Sequence, residues 1–112
     1  MSGSEVKFSV KGESQTAQGE LILVATGRKP NVANLGLDDL RVDYDERGGI
    51  KVDERCATNV PGVWAAGDVT GRAQLAHAAS RMAEVVVHNI TGRKDHMRYD
   101  TIPSVVYTSP EV

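Results

Sequence analysis

The nine residues Val63–Gly71, Val-Trp-Ala-Ala-Gly-Asp-Val-Thr-Gly, constrain the fold more than any other stretch of the chain. A short apolar run stops at Gly67 and Asp68, and a helical repeat begins a few residues later. Leu75, Ala79, Met82, Val86 and Ile90 are spaced by four, three, four and four, which puts them on one face of a helix. A strand that feeds a helix through Gly-Asp predicts an α/β unit. It sets the Asp68 carboxylate and the first free amides of the helix at one edge of a sheet. Ionised Asp68 only accepts hydrogen bonds and so suits hydroxyls, whereas helix-start amides carry partial positive charge and suit a carbonyl or anionic ring edge. A ligand with sugar-like hydroxyls and an electron-rich ring satisfies both. The competing reading is an aspartate that only shapes a turn.

Upstream, Val6, Phe8 and Val10 alternate with Lys7, Ser9 and Lys11, the period of a half-buried strand. Gly12–Gly19 reads as a polar turn, and Glu20–Ala25 as a second, more fully buried strand, the two strands forming a hairpin. Thr26–Asn31 then makes a connection, because Gly27 permits an unusual backbone angle and Pro30 biases Lys29 away from helix. A turn or helical piece is expected at Leu35–Leu40, a solvated acidic loop at Asp43, Asp45 and Glu46, and a Gly48-Gly49 turn before Ile50–Val52. Beyond the main helix, Gly92 supplies a stop, with His88, Arg93 and Lys94 where cations complement the helix dipole. Ile102–Tyr107 looks like the opening of another strand. Trp64 and the Leu75–Ile90 stripe read as core, the stripe packing on the sheet that ends at Asp68.

Composition excludes several partners. The 112 residues carry 13 Lys and Arg against 15 Asp and Glu, a net charge of -2, so there is no basic field for phosphate backbones or anionic lipid. Aromatic residues make up only 4%, too few for a base-stacking platform. Cys56 is the single cysteine, which rules out an internal disulfide, a Cys-x-x-Cys pair or a cysteine-rich metal site; a reducing cytoplasm fits best, and the thiol reads as non-functional. No apolar run approaches the roughly 20 residues of a membrane span, and the start Met1–Ser4 lacks a signal peptide's basic and apolar regions.

Four phrases occur in order: Ala25–Asn31, Thr58–Asp68, Gln74–His77 and Ile102–Glu111. Together they resemble the FAD-dependent pyridine nucleotide-disulfide oxidoreductases, and the likeness spans nearly the whole chain from about Glu5. Gln74-Leu75-Ala76-His77 with the Ile102-Pro103-Ser104 phrase favours the lipoamide branch of that family. The resemblance implies the central part of a Rossmann-like, three-layer FAD/NAD-binding fold, with an incomplete sheet, a hairpin and one main helix. It divides the chain into the end of an NAD-binding domain (1–30), a central domain completing the FAD site (31–100) and the first, truncated strand of an interface domain (101–112).

It also implies site roles. Asp68 accepts hydrogen bonds from the ribityl hydroxyls of FAD. Gln74, Leu75, Ala76 and His77 border the flavin, with the backbone amide near Ala76 facing its N1 and C2 carbonyl edge, where the helix dipole favours negative charge. Gly27, with Arg28 close to it, lies beside the NAD site. The His77 imidazole is expected to be an ordinary surface group.

Set against the family, these 112 residues contain no Cys-x4-Cys pair, no Gly-x-Gly-x-x-Gly turn and no His-Glu pair. The chain is therefore expected to be an inactive piece of a homodimeric parent that oxidises protein-bound dihydrolipoamide, with reduction of NAD through FAD. The parent's partners are then lipoyl domains of 2-oxoacid dehydrogenase or glycine-cleavage complexes. By itself the piece is expected to bind cofactor weakly or not at all, and to dimerise, exchange strands or stay partly disordered. Two alternatives stay open: another flavoprotein disulfide reductase or NADH oxidase, and a free-standing binding or assembly module without chemistry.

Overall fold

A computed structural model describes residues 4–111; Met1, Ser2, Gly3 and Val112 lie outside the described residues. The elements in order are β1 (Ser4–Val10), β2 (Glu13–Gly19), β3 (Tyr44–Asp45), β4 (Gly49–Ile50), a 3-10 turn at Asp68–Thr70, α1 (Ala76–Ile90) and a second 3-10 turn at Tyr99–Thr101. The architecture is a partial α/β unit with two small antiparallel hairpins and one main helix.

The first hairpin corrects the sequence reading. Val10 pairs with Glu13 and Ser4 with Gly19, so the second strand is the polar segment Glu13–Gly19, and Glu20–Ala25 forms no strand. The cause is local. Lys11 and Gly12 adopt φ of 52° and 87°, the two positive angles of the two-residue turn whose twist matches a hairpin, and that turn fixes the register. Both strands are exposed along their whole length, not half-buried. Leu21, Leu23 and Val24 stand 92%, 89% and 76% exposed, because nothing packs over them. The radius of gyration is 19.4 Å, against about 13 Å for a compact domain of this size.

Residues beyond Pro30 do form a core, in two clusters. Leu37, Val42, Ile50 and Ala65 build one, with Val32, Tyr44, Val60 and Val63 packed against it. Cys56, Met82, Val85 and Met97 build the other, with Ala66, Val86, Tyr99 and Ile102. The predicted strand Val63–Ala66 runs between them: Val63 and Ala65 face one cluster and Ala66 the other. Its pairing is a single bridge, Ala57 to Trp64, supported by hydrogen bonds from Ala65 N–H to Cys56 O and from Thr58 N–H to Val63 O, each 3.1 Å. Trp64 itself is half-buried.

The Asp53 carboxylate accepts the amides of Arg55 and Ala57 at 2.8 and 2.9 Å, closing a tight turn in which Cys56 takes φ of 63°. That turn rolls the Cys56 side chain out of its polar sequence neighbourhood into full burial. Asn59 cross-links the other side, its amide oxygen accepting Asp43 N–H and its NH2 donating to Arg41 O, each at 2.8 Å. The acidic loop is solvated as expected, and Asp45 has a definite task. It accepts the amides of Gly48 and Arg47, which hold its carboxyl below the usual range.

The helix forms where the period places it, and its register is corrected by a small rotation. Its buried line is Ala78, Met82 and Val85; Leu75, Ala79 and Val86 are partly buried, and Ile90 is exposed. The helix docks on Cys56, Met97 and Ala66 rather than on a broad sheet, so only the edge of the apolar stripe reaches the core. Gly92, at φ of 86°, ends it as predicted. Asp95 then ties the returning chain to the helix. It accepts from Arg81 at 2.7 Å and pairs with His88 Nδ1 at 2.6 Å, while Asn89 Nδ2 donates to its backbone oxygen at 2.8 Å. Ile102–Tyr107 forms no strand: after the Tyr99–Thr101 turn the chain continues without regular structure and mostly exposed. No helix among the described residues is long and apolar enough to cross a membrane.

Candidate functional site

Gly67 is the pivot of the site. It holds φ of 81° and ψ of -157°, a combination essentially confined to glycine, and so turns the chain sharply between buried Ala65 and exposed Asp68. Its oxygen accepts Thr70 N–H at 3.0 Å and the Thr70 hydroxyl at 2.8 Å; its own amide points at the Met82 sulfur, 3.4 Å away. A Cβ built on Gly67 would lie 3.4 Å from the Ala79 Cβ, so the pivot rests directly on the first turns of α1. Thr70 is 2% exposed, and the Asp68 side chain 52%. The turn thus buries its fastenings and presents its carboxylate.

Helix α1, on which Gly67 packs through Ala79, begins with free donors. Leu75, the N-cap, is extended and makes no side-chain cap, and the first intrahelical bond runs from Ala79 N–H to Leu75 O. The amides of Ala76, His77 and Ala78 therefore end the helix with their donors free of the helical ladder. Gln74 and Leu75 are half-buried, and His77 is exposed with Nε2 3.0 Å from Pro103 O, a surface contact consistent with the bland reading of its ring. Asp68 thus follows directly on Gly67, which packs on Ala79 of α1, and the segment 74–77 forms the start of that same helix.

Gly27 lies apart on the exposed stretch between hairpin and core, at φ of 94° with open space where a side chain would stand. The sequence reading placed Arg28 with Gly27; here its guanidinium lies 3.9 Å from Asp68, an exposed ion pair worth little on its own. Sequence reasoning missed the partners that hold the Asp68 turn. These are Thr70, Met82 and the Gly48-Gly49 turn, and only the adjacent glycines at 48 and 49 gave any signal.

An exposed, acceptor-only carboxylate next to a glycine that packs on an uncapped helix suits a ligand that offers hydroxyls at one end and a polar ring edge at the other, and these residue types fit the ribityl and ring portions of a flavin. Dihydrolipoyl dehydrogenase of Cupriavidus necator is 45% identical over 111 residues, spanning 98% of this chain and 23% of that protein. LpdA from Mycobacterium tuberculosis superposes with a TM-score of 0.78 at 30% identity, over 87% of this chain and 21% of that one. The HOCl-induced flavoprotein disulfide reductase RclA from Escherichia coli, as its Cu(II) complex, superposes at 0.74 with 27% identity, over 96% and 25%. The chain thus spans about a quarter of the length of the relatives it matches. Residues 1–83 match the family described as pyridine nucleotide-disulphide oxidoreductase, and the chain belongs to that family.

Proposed function

We propose that this chain is the central portion of a dihydrolipoamide dehydrogenase, oxidising protein-bound dihydrolipoamide to the disulfide with reduction of NAD. FAD, when bound, supplies the carrier that passes electrons from dithiol to nicotinamide. Asp68 binds its ribityl hydroxyls as an acceptor. The segment Gln74–His77 borders the flavin ring, and the uncapped amides at Ala76 stabilise negative charge at that edge. Gly27 lies against the NAD. The domain assignment stands with this reading: 1–30 closes the NAD-binding domain, 31–100 completes the FAD site and 101–112 enters the interface domain of a cytoplasmic homodimer. The partners are lipoyl domains of 2-oxoacid dehydrogenase or glycine-cleavage complexes. The 112 residues by themselves hold FAD weakly and do not turn over.

The observation that carries the reading is the exposed Asp68 carboxylate on a turn that packs, through Gly67 and Ala79, on the uncapped helix α1. The higher identity to a dihydrolipoyl dehydrogenase than to RclA favours the lipoamide substrate over another disulfide reductase, an NADH oxidase or a module without chemistry. The test is the full-length protein carrying this sequence, assayed for NADH formation from dihydrolipoamide. Wild type is expected to turn over, and Asp68→Asn to retain FAD about tenfold or more weakly, since a charge-assisted acceptor is lost. Full FAD affinity in Asp68→Asn, or no turnover with dihydrolipoamide by a flavin-loaded wild type, overturns the reading.

A further inference from the structure

Three parts of the chain converge behind Asp68 without touching its carboxylate. The first is the turn at Gly48-Gly49, far upstream in sequence. Gly49 is buried at φ of 82°, and a Cβ there would meet Val69 O and lie 2.7 Å from Thr70 C and 2.8 Å from Gly71 N. All three are backbone atoms and cannot swing aside. The contact is mutual: Gly71, at φ of 66°, approaches so closely that its own Cβ would meet Gly48 O and lie 2.8 Å from Gly48 C. Two turns are thus seated backbone on backbone, a contact that only glycine at both positions permits. The second part is Thr70, buried at 2% exposure, whose hydroxyl and amide both close on Gly67 O. The third is Met82, fully buried on α1, whose sulfur receives the Gly67 amide.

These contacts act on one object, the turn Gly67–Gly71. Gly71 N–H closes it on Asp68 O at 3.0 Å, so the backbone of Asp68 is fixed from both sides while its exposed side chain meets only the Arg28 guanidinium, 3.9 Å away. We propose that the Gly48-Gly49 turn, Thr70 and Met82 form a brace that positions the Asp68 carboxylate for the ribityl chain of FAD, an inference that rests on the flavin reading of the site. A loop that merely connected strand to helix would not need the Gly67 backbone angle, nor two glycines set against each other at 49 and 71. The brace also explains why the carboxylate needs no side-chain partner of its own inside the turn. Its orientation comes from the backbone, which leaves its acceptor capacity for the ligand.

The test is a coupling measurement on the full-length holoenzyme, with FAD dissociation followed by flavin fluorescence. Thr70→Val and Gly49→Ala are each expected to weaken FAD about fivefold or more when Asp68 is present, and less than twofold in the Asp68→Asn background. Thr70→Ser, which restores the hydroxyl, is expected to bring affinity back to within twofold of wild type. Because Gly49→Ala is strained and can prevent folding, Thr70→Val and Thr70→Ser decide the matter alone in that event. If Asp68→Asn weakens FAD and the Thr70→Val effect is undiminished in its background, the brace serves packing only and the inference falls. If Asp68→Asn binds FAD as wild type does, the flavin reading falls and the inference with it.

Discussion

Met82 offers a quantitative test of how the Asp68 turn is coupled to the helix. It is fully buried, belongs to the cluster of Cys56, Val85 and Met97, and receives the Gly67 amide at 3.4 Å. Met82→Ala removes the buried side chain and leaves a cavity, a change that costs about 2–5 kcal/mol in well-packed cores. It also strands a buried N–H, worth about 1 kcal/mol or more. Met82→Leu keeps the volume, for which a cost below about 1.5 kcal/mol is usual, and removes only the sulfur acceptor. The expected order is therefore wild type, then Leu lower by about 1–2 kcal/mol, then Ala lower by about 3–6 kcal/mol, the gap between the variants measuring packing and the first step the sulfur contact. Trp64 is the only tryptophan and directly precedes Ala65 and Ala66, which join the two core clusters, so its fluorescence in urea reports on this core directly. A loss under about 1 kcal/mol in Met82→Ala would refute docking of α1 through Met82. Equality of the Leu variant with wild type would refute the sulfur contact while leaving the packing intact.

Other consequences can be measured separately. Hydrogen bonds from His88 and then Arg81 hold the Asp95 carboxyl well below its ordinary value of 3.8. The group therefore contributes stability above about pH 4 that is lost as pH falls through the depressed folded value, and Asp95→Asn should flatten the acid limb of melting temperature against pH. Parallel limbs in the two proteins would sink that account. Burial pushes the Cys56 thiol up, so an aromatic disulfide reagent should modify it only at the rate of unfolding, and immediate reaction in native buffer would contradict its placement. Leu23 is 89% exposed, so Leu23→Glu should change the unfolding free energy measured in urea by no more than about 0.5 kcal/mol while lowering self-association in light scattering. A large loss of stability would show that Leu21–Val24 packs on the core after all.

The sequence by itself determined the elements whose causes are local. The 3.6-residue period placed α1, Gly92 ended it, and the Gly67-Asp68 step located the turn and its exposed carboxylate. The order of short phrases pointed to the family before any geometry was available. Tertiary structure decided what depends on neighbours. An apolar run such as Glu20–Ala25 becomes a buried strand only where another surface covers it. Here the Lys11-Gly12 turn pairs the polar segment instead and leaves the apolar one in water. Cys56 reads as polar-flanked in sequence yet is fully buried, because the Asp53 turn reverses the chain beneath it. The brace behind Asp68 was illegible for the same reason. Gly49 and Gly71 lie far apart along the chain, and their need for glycine arises only once two backbones are pressed together in space.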